Sequence, residues 1–266
     1  MTINEIMNQY LDPLYVKARN EEYLKGRGSG KGDVAYKRIG AAYAGIECLR
    51  QLAYKYHRTK EDAPNEKYIT QAQLKRHADY GFDTENHIIE WLRIAGFAII
   101  DRDASGQQVG YKSAFDGKQY HFAGELDGVI IRSPIADIPQ NINLECKKAT
   151  RDKFEKFVKH GVEKTSSEYF AQMQLGMAYT NRTHCLFVMV CLDSMEIYYE
   201  LVPFNLDKAQ ELSDKCVKVM STQAPEEMPR IGYGADDFRC MFCPYKTTCW
   251  ELKDNILSVS PVKDLL

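Results

Sequence analysis

YHFAGELDGVII (residues 120–131) and INLECKK (residues 142–148) decide how this chain is read. Both read as strands, joined by the loop-like stretch SPIADIPQN (residues 133–141). A strand projects alternate side chains to opposite faces, so Glu145 and Lys147 share a face of the sheet. If the Asp127 strand pairs alongside, two carboxylates and one ammonium meet at one sheet edge. The flanking LEC and GVII are apolar, which marks buried strands, where charges are costly unless paired or held by a metal. Two hard oxygen ligands suit magnesium or manganese. The adjacent lysine can orient a water, or deprotonate one as the free amine, and as an ammonium offset charge developing on a phosphate. The grouping is suited to cutting a phosphodiester bond.

Two helical stretches flank these strands. Around AQMQLGMAY (residues 171–179), the preceding Phe170 with Met173 and Met177 follows an i, i+3, i+7 pattern and forms the core stripe. Gln172, Gly176 and Tyr179 lie on the other side, with Gln172 and Tyr179 two turns apart on one line. Gln174 sits nearer the apolar edge. Upstream, FDTENHIIEWLRIAGF (residues 82–97) is amphipathic, with Ile88, Trp91, Leu92 and Ala95 at core spacing and Gly96 as its stop. His87 and Glu90 stand one turn apart on it.

The order GELDGVI, LECKK, AQMQLGMAY resembles the PD-(D/E)XK nuclease superfamily, in particular its RecB-like and phage exonuclease branches, which include lambda exonuclease and the iron–sulfur CRISPR-associated nucleases. The resemblance spans roughly residues 83–203. It implies that Asp127 and Glu145 are metal ligands, Lys147 the catalytic lysine and Gln172 the glutamine of the following helix. It also implies a further ligand on the preceding helix: Glu90, with His87 close behind. One departure is that the RecB pattern sets Gln and Tyr four apart, whereas Gln172 and Tyr179 are seven apart. The implied fold is α/β, a central mixed β-sheet flanked by helices (a restriction-endonuclease-like core), with a helical N-terminal region and a cysteine-rich, metal-stapled C-terminal segment.

The eight cysteines are a second signal. MTINEIMNQYLDP lacks the basic and apolar regions of a secretory signal, and no apolar run approaches a membrane span. The chain is therefore expected in the cytoplasm (that of the host if phage-encoded), off the membrane, where disulfides rarely persist. Cys185 and Cys191 sit in the apolar run HCLFVMVCL and Cys216 in a helical run; all read as core thiols, as does Cys146, which faces away from Glu145 and Lys147. Cys240, Cys243 and Cys249 differ. Their C-x2-C-x5-C spacing makes most of a metal site and lacks a fourth ligand. Cys48, in AGIECLRQLAYKYHR, is the best candidate, because that string resembles the C-x-R-x-x-x-Y element of iron–sulfur nucleases. The resemblance implies a four-iron, four-sulfur cluster on these four cysteines. Zinc suits the same thiolates. Such a metal would staple the two chain ends across the core and couple binding to folding.

Composition is that of a globular protein: 266 residues, 44% hydrophobic, 27% charged, net charge −2. That balance argues against a globally basic nucleic-acid coat, though DNA binding depends on local phosphate contacts. Lys147, Lys148, Arg151, Lys153, Lys156 and Lys159 cluster in KKATRDKFEKFVKHG, beside the proposed metal site, and Tyr179 joins the expected DNA-binding set. The N-terminal half adds Lys25, Arg27, Lys31, Lys37, Arg38, Arg50, Lys55 and Arg58. GRGSGKG (residues 26–32) fails as a P-loop, because Gly32 follows Lys31 and no apolar strand precedes it; it reads as a linker.

The expected layout is a helical N-terminal region over 1–82 contributing one cluster cysteine, a nuclease core over 83–220, and a cysteine-cluster segment and tail over 221–266. Strands are expected near 97–102, 107–113, 119–132, 142–147, 184–192 and 195–202, and helices near 151–163, 167–181 and 205–219. The N-terminus is expected to be helical to about residue 96, apart from the Gly linker and a polar break near 58–66, and the tail from 221 irregular. The expected function is a Mg2+- or Mn2+-dependent DNA nuclease, an exonuclease of phage or recombination-associated DNA processing. A recombinase or single-strand annealing protein, or a second copy of the chain, is an expected partner. A structure-guided or CRISPR-adaptation-type endonuclease is the alternative within the class. A non-catalytic nucleic-acid-binding protein with a structural metal site is the alternative outside it.

Overall fold

The computed structural model of the chain describes residues 2–18, 39–62, 71–114 and 120–251. The GRGSGKG segment and its neighbouring cations lie outside the described residues.

The helices named among the described residues are α1 (Ile3–Ile6), α2 (Leu49–Tyr56), α3 (Gln71–Ile94), α4 (Arg151–Thr165), α5 (Ser167–Thr180), α6 (Leu206–Met220) and α7 (Lys246–Glu251), and residues 12–18 are helical as well. The strands are β1 (Ile39–Gly40), β2 (Ala98–Ile100), β3 (Gly110–Ala114), β4 (Tyr120–Glu125), β5 (Gly128–Arg132), β6 (Ile142–Ala149), β7 (His184–Cys191) and β8 (Ile197–Pro203). They form a five-stranded sheet in the order β2-β5-β6-β7-β8 and a three-stranded sheet in the order β1-β4-β3. In the larger sheet β6 and β7 are parallel and the other pairs antiparallel. The α4–α5 hairpin is the crossover that a parallel pair requires. The mixed α/β architecture is as expected.

Period-two alternation along β6 assigns its two faces. Ile142, Leu144 and Cys146 pack with Ile88 and Ile89 of α3, while Ala149 lies on the opposite side with Phe154 and Phe157 of α4 and Met173 and Met177 of α5. A third apolar cluster joins Ala171 and Leu175 of α5 to residues 39–56, to Cys216 and Val219 of α6, and to the small sheet. Helix α5 is therefore covered on two sides. Its Met173 stripe meets the large sheet, and the Gly176 side is filled as well, with Gly176 itself buried against Leu126, Asn143 and Tyr111. Gly45, in the 3-10 turn Ala41–Gly45, lies so close to Ser167 and Glu168 that a Cβ there would overlap their backbone.

Several expectations are corrected. The strand expected over 119–132 breaks at Leu126–Asp127: β4 belongs to the small sheet and β5 to the large one. A strand, Ile39–Gly40, lies in the region expected to be helical, held by parallel pairing to Phe122 and Ala123. A π-helical turn, Met7–Leu11, follows α1. The tail from 221 carries the helix α7, which includes Cys249. On α3 the core stripe is Ile88, Ile89 and Leu92, while Trp91 and Ala95 are exposed, so the apolar face is rotated from the expected one. Gly96 does close the helix, with φ +97 and its N–H bonded to Arg93 O.

Candidate active site and cysteine pocket

Strand β5 pairs with β6 only from Gly128 opposite Leu144 to Ile130 opposite Ile142. Beyond Leu144 that edge of β6 has no strand partner among the described residues, and its next inward-pointing N–H, that of Cys146, would be left without an acceptor. Asp127 supplies one. The Cys146 N–H donates to Asp127 Oδ2 at 2.7 Å, so a side chain continues the ladder where the strand stops. Gln108 steadies the same turn by donating to Leu126 O at 3.1 Å.

Into this notch β6 delivers Glu145 and Lys147. The Lys147 ammonium forms an ion pair with Glu145, lies 3.7 Å from Asp127 Oδ2 and 3.8 Å from Glu85 Oε1, and donates to Cys146 O at 3.0 Å. Three carboxylates thus surround one cation. Glu145 is only 2% exposed, and beyond its ion pair Oε1 has no hydrogen-bond donor. Burial pushes the Glu145 carboxyl up to about 8, against the pull of Lys147, with Asp127 raising it further. Burial, then Asp127, pushes Glu85 up to about 7. Burial acts to lower Lys147, but Glu145, Asp127 and Glu85 together hold it well above the ordinary lysine range. The ammonium is therefore a fixed donor here.

Among the described residues no three His, Cys, Asp or Glu side chains form a ready metal-binding group. The donor chemistry nevertheless fits a divalent cation. The cluster carries more potential negative charge than Lys147 offsets, its oxygens are hard, and one of them, Glu145 Oε1, is buried with no partner beyond Lys147.

The expected site residues are distributed as follows. Asp127, Glu145 and Lys147 converge. Glu90 and His87 do not join them: both are exposed on α3, with the His87 ring stacked on Trp91 at 6.1 Å. The residue of α3 that reaches Lys147 is Glu85. It stands three residues before Ile88 and seven before Leu92, a carboxylate in line with the apolar stripe, and that position is the signal that could have found it. Gln172 is half-buried on α5, whereas Gln174 is fully buried, donating to Pro203 O at 2.9 Å and accepting from Asn205 N at 2.8 Å.

Tyr179 is exposed and stacks on Tyr111 at 5.4 Å, with Phe122 at 5.2 Å. Tyr111, unmarked in sequence, is buried with its hydroxyl unpartnered; burial and then the charge of Glu145 raise its pKa. Lys148 donates to His77 O at 3.0 Å and lies 4.3 Å over the Tyr80 ring. Lys153 donates to Tyr169 OH at 3.1 Å, and the same ring lies 5.6 Å from Lys147. Arg151 faces Glu155 and Glu196 at 3.8 and 3.6 Å. Lys156 and Lys159 are exposed on α4.

Cys48, Cys240, Cys243 and Cys249 line one small cavity, together with Gln51, Tyr54, Arg230, Ile231, Lys246 and Trp250. Protein contacts already join its two halves. Arg50 donates from Nε to Met228 O at 2.7 Å and from a terminal nitrogen to Glu226 O at 2.8 Å. Tyr54 donates to Glu226 Oε1 at 3.2 Å and stacks on Tyr245 at 5.0 Å. The Arg and Tyr of the C-x-R-x-x-x-Y string are thus clamps between the chain ends. All eight cysteines are free thiols, and Cys146, Cys185, Cys191 and Cys216 are buried in the core as expected. The four cysteines share one cavity without forming a closed ligand set among the described residues, and thiolates are the donors that suit a soft metal group.

No protein-family model matches the chain, and no curated protein matches it. Among solved structures it is similar to an alkaline exonuclease, LHK-Exo, from Laribacter hongkongensis: 17% identity over 76% of this chain and 91% of that one, TM-score 0.46. It is also similar to SSO0001, at 15% identity over 90% of this chain and 96% of that one, TM-score 0.50. The likeness to SSO0001 is one of fold.

Proposed function

We propose that the chain is a divalent-metal-dependent DNA nuclease acting as an exonuclease. The observation that carries this reading is the meeting of Glu85, Asp127 and Glu145 around Lys147 at the open edge of β6. Asp127 and Glu145 are the oxygens that would hold magnesium or manganese, and Glu85 takes the helix position that the sequence reading gave to Glu90 or His87. When bound, the cation supplies positive charge against the phosphate oxygens and acidifies water. Lys147 remains an ammonium and donates, orienting a water or a phosphate oxygen and offsetting charge as the bond breaks. Gln172 positions that water or the scissile phosphate. Lys148, Lys153, Lys156 and Lys159, with Arg151, meet the DNA backbone, and Tyr179 offers an aromatic face to a base.

The cysteine pocket is read as the seat of a structural four-iron, four-sulfur cluster, with zinc as the alternative occupant. Support comes from four thiols on one cavity and from the resemblance of the Cys48 string. The deciding experiment is digestion of end-labelled DNA by anaerobically purified protein with Mg2+ or Mn2+, against an EDTA control and Glu145→Gln. Cleavage that persists in EDTA or in Glu145→Gln sinks the reading.

A further inference from the structure

Two buried donors at the cysteine cavity have no acceptor. The Trp250 Nε1–H and the Arg230 Nε–H are both buried and unpartnered, and both residues line the cavity with the four cysteines. Trp250 is held in place rather than loosely packed. The Arg230 guanidinium lies 4.2 Å over its ring and is itself fixed by donating to Cys249 O at 2.6 Å. The indole shares the cavity with Cys240 and lowers a thiol pKa that burial raises, yet its N–H makes no full hydrogen bond there. Gly232 abuts that sulfur closely, since a Cβ there would come within 2.6 Å of Cys240 Sγ. Cys240 therefore has a tightly packed glycine and an indole donor as neighbours.

A buried N–H without an acceptor is costly, and among the described residues the Trp250 Nε1–H has none. A thiol sulfur is a poor acceptor, and a metal-bound thiolate or an inorganic sulfide is a far better one. We propose that Trp250, clamped by Arg230, donates an N–H···S hydrogen bond to the Cys240 sulfur of the loaded site and so raises the reduction potential of the cluster. This rests on the iron–sulfur reading above. The physical reason is that reduction adds negative charge to the sulfurs, and a fixed donor stabilises the reduced form more than the oxidised one. Trp250 is thus a tuning residue, not a ligand.

The test uses the full chain purified anaerobically. Iron and sulfide content with absorbance near about 400 nm is established first; zinc, or no metal, overturns the iron–sulfur reading and this proposal with it. Trp250→Phe keeps the ring and its stack on Arg230 but removes the donor. With cluster present in both proteins, the variant is expected to show a reduced-to-oxidised ratio about tenfold lower at fixed poise, which is ~59 mV for one electron. An unchanged potential at full iron occupancy overturns the proposal and leaves the iron–sulfur reading standing. Should the variant lose its cluster, the wild-type chain decides. With 15N-indole tryptophan, pulsed EPR of the reduced protein should show a weak 15N coupling that survives in Trp91→Phe, the other tryptophan of the chain. Absence of that coupling overturns the proposal.

Discussion

Asp127 Oδ2 accepts the main-chain N–H of Cys146 at 2.7 Å, and the same oxygen lies 3.7 Å from the Lys147 ammonium. One carboxylate therefore ends a strand ladder and begins a charged site. The two tasks separate by substitution. Asp127→Asn keeps an oxygen for the Cys146 N–H and should fold with nearly full stability, yet lose metal-dependent cleavage. Asp127→Ala should also lose about 1–3 kcal/mol, the cost of a buried donor left unpaired. Urea melts beside the nuclease assay check both. Equal stability of the two variants would contradict the ladder role.

The helix residue is the sharpest point of difference from the sequence reading. Glu85→Ala should reduce cleavage by roughly 10- to 100-fold, the range seen when a supporting group at a metal site is removed. Glu90→Ala and His87→Ala should remain near wild type, because both side chains are exposed on α3. Activity lost in Glu90→Ala and kept in Glu85→Ala would reverse the assignment. Lys147→Arg should fail as well, since the planar guanidinium cannot take the place of a compact ammonium among Glu85, Asp127 and Glu145.

Stability should depend on pH in a metal-sensitive way. Glu145 and Glu85 have folded-state values raised to about 8 and about 7, above the ordinary carboxylate value of 4.5. The folded chain binds more protons than the unfolded one over that interval, so stability falls as pH rises from about 4.5 to about 8. Lys147, raised in turn, stays charged throughout this window. In EDTA, Tm should decline from pH 5 to pH 8. Mg2+ or Mn2+ should restore it chiefly at the alkaline end, because metal competes with protons for the same oxygens. Glu145→Gln should flatten the profile, and a profile unmoved by that substitution would place its origin elsewhere.

For the cysteine pocket, Ser at Cys48, Cys240, Cys243 or Cys249 should each release bound metal, since all four thiols line the cavity. Ser at Cys185, Cys191 or Cys216 should leave metal content intact. The Arg50 and Tyr54 clamps tie the chain ends independently of any metal. Arg50→Met should therefore destabilise the Cys48→Ser protein further, by about 1.5–3 kcal/mol for hydrogen bonds to a charged group. Metal retained in Cys48→Ser would defeat the four-cysteine staple.

Gly45→Ala probes how α5 is seated. A Cβ at Gly45 would overlap the backbone of Ser167 and Glu168, at the start of the helix that carries Gln172. Forcing the helix outward should cost about 1–3 kcal/mol, as overpacking does. It should lower Tm without touching metal content, whereas a neutral effect would show that the Ala41–Gly45 turn yields easily.

What the chain determines by itself is what a single element's period determines. Alternation along INLECKK places Glu145 with Lys147 and turns Cys146 away, whatever surrounds the strand. The same logic marks the buried thiols of β7 and the Met173–Met177 stripe of α5. Cysteine spacing singles out Cys240, Cys243 and Cys249. Relations between elements are decided elsewhere. Whether 119–132 is one strand or two depends on which sheet can bury each half, so the break at Asp127 and its bond to Cys146 exist only in the folded chain. Glu85 is not legible from the sequence alone because the rotation of a long helix is set by the sheet it covers. Tyr111 gained its place beside Glu145 because the small sheet packs across α5. Local periodicity says which way a side chain points; burial of one surface against another decides what it meets.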